Sequence, residues 1–208
     1  MDTFEKIACQ KGYKFIAGVD EAGRGPLAGP VVASAVIFPP DYYNSQIIDS
    51  KKLSARKREE LYEVINNDAL AVGVGTVDAA TIDRINILQA ALQSMCEAVL
   101  ELSYPPEFLL IDGLHKIPLQ IPQKTLVKGD SLSVSIAAAS IIAKVSRDRI
   151  MEMYYRQFPQ YNFLQNKGYG TKEHRNAILE FGMCKIHRRS FHLKNLDLNQ
   201  TSLDLSGS

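Results

Sequence analysis

Apolar positions along the chain follow two rhythms, one of short continuous runs and one of helical spacing, and together they outline the fold. Residues 14–19 and 30–38 (PVVASAVIF) read as strands joined through a Gly/Pro loop, which makes them hairpin-like. Helical spacing through Leu53, Leu61, Val64 and Ile65 predicts a helix over 53–65, and 70–77 (LAVGVGTV) reads as a third strand. From Asp83 or Asn86 to Leu102 an amphipathic helix carries Ile85, Leu88, Leu92, Met95 and Val99 on one side, and Tyr104-Pro105-Pro106 stops it. Phe108-Leu109-Leu110-Ile111 is apolar at every position, as a strand buried on both faces should be, and it ends at Asp112-Gly113. A short strand at Thr125-Leu126-Val127 leads into Lys128-Gly129-Asp130. Ser133 is placed to cap a long helix running to about Phe158, whose first half is apolar nearly all round and must be central and covered. Its Ala137, Ala138 and Ala139 permit close approach of a neighbouring backbone. A last helix over 173–181 is closed by Gly182. A hairpin followed by alternating strands and helices predicts an α/β protein with a mixed sheet covered by helices.

Composition narrows this only slightly. The 208 residues are 46% apolar and 23% charged, which suits one domain of moderate size or one with a small appendage. The longest apolar stretch, 136–145, is interrupted by Ser140 and Lys144 and is too short to span a bilayer. The opening MDTFEKIACQ has early acids and no apolar run of signal-peptide type, so a cytoplasmic location is expected. Cys9, Cys96 and Cys184 are far apart and lack CxxC spacing, which argues against a disulfide framework or a zinc site. Net charge is only +1, but the basic residues cluster. Lys51, Lys52, Arg56, Lys57 and Arg58 form one group. A second runs from Lys167 to Lys194 with His174, His187 and His192 interleaved. Beside a carboxylate centre, such clusters read as a track for a polyanion.

That centre begins at Asp20-Glu21. Adjacent carboxylates repel and are costly to desolvate unless a cation lies between them. Gly23-Arg24-Gly25 follows at once, and it offers a guanidinium and exposed backbone N–H groups to a phosphate or sugar. Asp112 ends another apolar strand, and if the two strands are parallel neighbours the carboxylates converge beyond their carboxyl ends. Asp130, just before the long helix, can reach the same crevice from its rim. Glu21 is expected to join Asp20 only if the strand has broken at Ala22-Gly23, because successive strand residues face opposite sides. All-oxygen ligation without a Cys or His cluster favours Mg²⁺ or Mn²⁺. Two such ions suit in-line phosphoryl displacement. GRGPLAGP lacks the Gly-Lys-Ser/Thr ending of a nucleotide-binding P-loop, so that reading is set aside.

DEAGRGPLAGP, DSKKLS, LLIDG, KGD followed by AAASIIAKVSRD, GYGTKEH and a later HRRSF occur in this order from Phe15 to Phe191, and the set resembles ribonuclease HII, the bacterial type 2 ribonuclease H. The resemblance implies a ribonuclease H-like fold, with a mixed five-stranded sheet flanked by helices and a helical C-terminal extension. It places a catalytic domain over 1–194, with the extension at about 160–194, and a flexible tail over 195–208. It maps the metal-binding acids to Asp20, Glu21 and Asp112 and a further catalytic carboxylate to Asp130. Gly23, Arg24 and Gly25 match the loop that reads a ribonucleotide 2′-hydroxyl, and Tyr169 matches the tyrosine at the RNA–DNA junction. Lys51, Lys52, Ser54 and Asn86 are expected to touch phosphates, although capping and solvation explain them nearly as well. Lys144 and Asp148, four apart on the long helix, are expected to pair with each other. The histidines are expected to pack in the C-terminal helices or to meet nucleic acid.

The implied substrates are RNA–DNA hybrids and duplex DNA with embedded ribonucleotides, cut by a monomeric enzyme. Two rivals stand beside this reading: another metal-dependent nuclease on the same fold, and a hybrid-binding module without activity, whose mark would be a missing acid. In the tail, 200–205 (QTSLDL) is similar to short peptides that dock into bacterial sliding clamps.

Overall fold

The computed structural model describes residues 3–191. The tail with its clamp-like peptide, together with His192 and Lys194, lies outside the described residues. The elements run α1 (Thr3–Gln10), β1 (Ile16–Ala22), β2 (Val31–Ile37), α2 (Ala55–Asp68), β3 (Ala71–Val77), α3 (Ala79–Ile85), α4 (Ile87–Leu100), β4 (Phe108–Asp112), β5 (Gln123–Leu126), α5 (Val134–Gln157), α6 (Phe163–Asn166) and α7 (Lys172–Phe181). The strands form one sheet in the order β3-β2-β1-β4-β5. β1 pairs antiparallel with β2, and β2 with β3, so the expected hairpin is present. β1 and β4 are parallel neighbours, as are β4 and β5.

Each face of the sheet has its own helix. Ala17 and Val19 of β1 and Leu109 and Ile111 of β4 pack with Met95 and Ala98 of α4. The alternate residues turn toward α5, where Val36 joins Ala137, Ala138, Ile141 and Ile142. The first half of α5 is buried on all sides, as its composition requires. Helix and sheet come very close where β1 has no side chain. A Cβ added at Gly18 would lie 2.1 Å from the Ser135 carbonyl carbon.

Ser133 caps α5 by accepting from Ile136 N at 3.1 Å. A second cap comes from α1, which the pattern of apolar residues did not predict because only Ala8 of that helix is buried. Glu5 of α1 accepts from the Ser133 hydroxyl at 2.5 Å and from Ser135 N at 3.1 Å. An acid at a helix N-terminus also complements the helix dipole.

Of the two expected helix starts, Asn86 is the one observed, as the cap of α4, whereas Asp83 belongs to the separate α3. Asn86 at φ 69° breaks the chain, and its side chain caps α4 by accepting from Leu88 N and Gln89 N at 3.0 and 3.1 Å. β1 ends at Ala22, and Gly23 follows at φ 97°, so the strand breaks where expected, but Glu21 still lies within it, paired with Ala33. Among the described residues, no helix is long and apolar enough to cross a membrane.

After α5 the chain adds α6, α7 and a bridged segment against the loop between β1 and β2. Met151, Tyr161, Phe163 and Ile178 close a separate small core there. Ala28 pairs with His187, Leu27 N donates to Gly168 O at 2.8 Å, and Arg188 N donates to Leu27 O at 2.8 Å.

Candidate active site

Parallel pairing of β1 with β4 ends at Val19 and Ile111, and one step further Asp20 and Asp112 stand side by side at the carboxyl ends of their strands. Both follow the alternation that turns them toward α5. Glu21 points to the α4 side, where it lines a groove with Leu88, Leu92 and Met95. Strand alternation is therefore intact, and Glu21 meets Asp20 around the end of the sheet. The two acids and Asp112 line one cleft of about 210 Å³ with Lys51, Arg147 and Tyr169. A larger cavity of about 290 Å³, between α1 and the start of α5, holds no comparable set of acids.

Asp20 is 5% exposed. Burial, then the charges of Glu21 and Asp112, push its carboxyl well above the usual carboxylate range, against hydrogen bonds from Glu21 N and the Ser140 hydroxyl. Burial also raises Glu21, opposed by Arg24, whose guanidinium lies 3.2 Å from its carboxylate. Asp130 sits in a short 3-10 turn over Gly129–Ser131. Its carboxyl is raised by burial and then by Asp49 and Asp112, against the pull of Lys51. Asp112 accepts from Gly129 N at 2.7 Å, which ties β4 to that turn. Lys51 Nζ lies 3.8 Å from Asp130. Partial burial pulls this ammonium down, yet Asp130, Asp49, Asp20 and Asp112 together raise it.

The cleft thus gathers carboxylates beside Lys51, Arg58, Lys144 and Arg147, with Lys51 acting on Asp130 and Arg24 on Glu21, while the charges that act most on Asp20 are those of Glu21 and Asp112. A hard cation beside Asp20 would relieve that repulsion, and the donors are oxygens, the set that Mg²⁺ and Mn²⁺ take. Among the described residues no three acidic, His or Cys side chains are yet drawn into a common ligand cage.

Two residues bearing on the acids were missed in the sequence. Asp49, inside DSKKLS, faces Asp130 and accepts from Lys51 N at 2.9 Å. Ser140 bonds Asp20 and lies 2.8 Å from the Ser50 hydroxyl. Its signal was a polar residue interrupting an apolar run on a buried helix. Ser54 caps α2, accepting from Lys57 N at 3.2 Å, and Lys52 is exposed. Asn86 and Ser54 are therefore occupied as caps. Lys144 and Asp148 pair at 2.7 Å, as expected.

Beside the acids, the loop carrying Gly23, Arg24 and Gly25 rests on two buried arginines. Gly23 has φ +97°, and an added Cβ would lie 2.1 Å from Arg147 Nε. Arg188 donates to the carbonyls of Gly23 at 2.5 Å, Arg24 at 2.9 Å and Gly29 at 2.9 Å. Arg147 donates to Pro30 O, Lys167 O and Ala28 O at 2.9, 2.9 and 3.2 Å. With their carbonyls engaged below, these residues leave the loop fixed beside the cleft. Tyr169 is 47% exposed, and its ring would lie 3.7 Å from a Cβ on Gly25. Gly23 and Tyr169 thus line the acid cleft, with Gly25 beside the Tyr169 ring, while Arg24 lies with Glu21 on the α4 side.

The sequence profile of Ribonuclease HII matches residues 17–194. A protein named Ribonuclease HII from Syntrophus aciditrophicus is 70% identical over 195 residues, covering 94% of this chain and 92% of that one. In a solved complex of PCNA with RNase HII from Archaeoglobus fulgidus, the matched chain is 27% identical with a TM-score of 0.73, covering 89% of this chain and 98% of that one. Bst-RNase HIII in complex with Mn²⁺ superposes with a TM-score of 0.69 at 21% identity, over 88% of this chain and 69% of that one, a likeness of fold. Profile and relative alike give the family: the chain belongs to the ribonuclease HII family, nucleases that hydrolyse phosphodiester bonds.

Proposed function

We propose that this ribonuclease H cuts the RNA strand of RNA–DNA hybrids and the bond 5′ to a single ribonucleotide embedded in duplex DNA, leaving a 3′-hydroxyl and a 5′-phosphate. The observation that carries the reading is the place of Asp20 and Asp112 one step beyond the last pair of two parallel strands, where the buried Asp20 is repelled by Glu21 and Asp112 beside a loop suited to a ribose. Asp20, Glu21, Asp112 and Asp130 would hold two Mg²⁺ or Mn²⁺ ions. When bound, such ions activate a water and stabilise the departing oxygen of an in-line displacement.

The chain's own residues do the rest. Asp112 is held by Gly129 N and Asp20 by Glu21 N, so these carboxylates are preset before substrate arrives. Gly25, lacking a side chain, admits a sugar close to the backbone, and Tyr169 stacks beside it. The 2′-hydroxyl is the group that tells RNA from DNA, and the loop of Gly23, Arg24 and Gly25 is where it would be read. Lys51 steadies a scissile phosphate at the rim, with Lys52 further out on the duplex backbone. We place the enzyme in the cytoplasm, as a monomer. A clamp contact through 200–205 belongs to the same reading, in keeping with the PCNA complex of the archaeal relative. Pull-down on a bacterial clamp with and without residues 200–208 tests it, and equal recovery would remove it.

The test of the whole reading compares three duplexes in Mg²⁺: all DNA, DNA with one ribonucleotide, and a long hybrid. Cleavage confined to the last two, and abolished by Asp112→Asn, is expected. Cutting of the all-DNA duplex, or an active Asp112→Asn at saturating metal, overturns the assignment.

A further inference from the structure

The small core behind Tyr169 contains two histidines in direct contact. His174 of α7 and His187 are 0% and 3% exposed, and their Nε2 atoms are 3.0 Å apart. The outer ends of the pair fix every proton. Cys184 N lies 3.0 Å from His187 Nδ1, and a backbone N–H can only donate, so that nitrogen is the acceptor and His187 carries its proton on Nε2. This proton points at His174 Nε2, which must accept. His174 therefore carries its proton on Nδ1, 2.9 Å from the carbonyl of Tyr169. One directed chain of hydrogen bonds runs from Cys184 through His187 and His174 to the backbone of Tyr169. Both rings must be neutral, since a proton added to either pair of facing nitrogens leaves two donors 3.0 Å apart.

Burial lowers His174, and burial followed by His174 lowers His187 to about 4, in keeping with neutral rings. His187 is bridged to Ala28, and the next residue, Arg188, holds the carbonyls of Gly23 and Arg24. Consecutive residues thus bear on the two loops that flank the cleft, Arg188 directly and His187 through His174.

We infer that His187 and His174 are positioning residues that set Tyr169 against the loop of Gly23, Arg24 and Gly25, and thereby determine which bond beside a ribonucleotide is cut. This rests on the proposed role of Tyr169. The test uses the full chain in Mg²⁺ with cleavage-site mapping on the single-ribonucleotide duplex and on a long hybrid. His174→Asn can keep a donor near the Nδ1 position, whereas His174→Gln places its amide toward His187 and withdraws the ring donor from the Tyr169 carbonyl, which keeps only Thr171 N at 2.8 Å. Expected is a loss of about tenfold in kcat/KM on the single-ribonucleotide duplex for His174→Gln, with the hybrid less affected and His174→Asn nearer wild type. Tyr169→Ala serves as the reference for losing the tyrosine. If Tyr169→Ala leaves the discrimination intact, the role of Tyr169 and the inference fall together. If it loses discrimination while the Gln and Asn variants behave alike, only the inference falls. Nitrogen-15 NMR of the wild-type protein near neutral pH needs no variant to fold: it should find His174 protonated at Nδ1 and His187 at Nε2. The opposite tautomers, or a charged ring, overturn the relay.

Discussion

Arg188, itself 1% exposed, donates to the carbonyl of Gly23 at 2.5 Å, and among the described residues no carboxylate is in hydrogen-bonding contact with its guanidinium. Burying that charge is worthwhile only because Gly23, Arg24 and Gly29 all accept from it, in the forked geometry that lysine lacks. Arg188→Lys keeps a positive charge and loses the fork. Chemical denaturation should show a loss of about 2–4 kcal/mol, as expected when buried carbonyls are left unpaired. In the protein that remains folded, KM for ribonucleotide-containing duplex should rise more than kcat falls. A variant with wild-type stability and wild-type KM would mean that the arginine does not hold the loop.

Asp20 tests the cost of the acid cluster. Burial, Glu21 and Asp112 raise its carboxyl, so the fold disfavours the ionised form. A carboxyl raised in the fold weakens stability as pH climbs above its unfolded value of about 3.9, and the full penalty is present once the folded group has also ionised. Asp20→Asn keeps an oxygen to accept from Glu21 N and removes the charge. In metal-free buffer near neutral pH the variant should melt higher, by about 2–4 °C for each kcal/mol relieved. Added Mg²⁺ should raise the melting point of wild type more than that of the variant, and cleavage by the variant should be lost. A variant that melts lower without metal would show that the carboxylate stabilises the fold.

Two glycines separate folding from recognition. Gly18→Ala would put a methyl 2.1 Å from the Ser135 carbonyl carbon and 2.3 Å from Ile136 N, backbone atoms of a buried helix that cannot step aside. It should cost about 3 kcal/mol or more, or prevent folding. Gly25→Ala meets only the Tyr169 ring, at 3.7 Å, an ordinary contact. Its stability should stay within about 0.5 kcal/mol of wild type, as expected of a surface change. Yet a methyl at that position stands where a sugar would approach, so affinity for ribonucleotide-containing duplex should fall. Unchanged binding by Gly25→Ala would move the ribose elsewhere.

The strands and the long central helix were legible because burial on both faces leaves no room for polar residues, as Leu109, Leu110 and Ile111 or Ala137 to Ala139 show. Asp20 and Asp112 were legible for a related reason: each is the first charge after an unbroken apolar strand. Glu21 was misread. Its place was tied to a local strand break, but pairing with Ala33 keeps it in the strand, and it reaches the cleft around the sheet's end. Spacing left the start of α4 open between Asp83 and Asn86 because apolar positions continue across the break, and the choice of Asn86 depends on a backbone angle that spacing does not encode. Least legible were contacts between distant segments. Arg188 and Gly23 are 165 positions apart, and nothing local distinguishes Arg188, which bonds Gly23, from Arg189 beside it.

The histidine pair makes a prediction about acid stability. Burial first, then His174, with Arg189 adding to both, lower His187 to about 4, against an opposing hydrogen bond from Cys184. Tyr161 and Phe163 cover the ring edges, and Glu173 is the acid acting on His174. An unfolded histidine titrates near 6.5, so between about 6.5 and 4 the unfolded chain binds the proton that the folded one refuses. The contribution of neutral His187 is therefore complete above about pH 6.5, falls as pH drops through that window, and is gone below about 4. At about 1.36 kcal/mol per pH unit, the swing is of order 3 kcal/mol. Asp20, Glu21 and Asp130 have raised carboxyls and slope the other way, so the quantity to measure is a difference. Denaturation midpoints of wild type and His187→Gln between pH 7 and 4.5 should converge as the medium is acidified, because only the wild type has a histidine to lose at this position. Parallel curves would show that His187 is already charged in the fold.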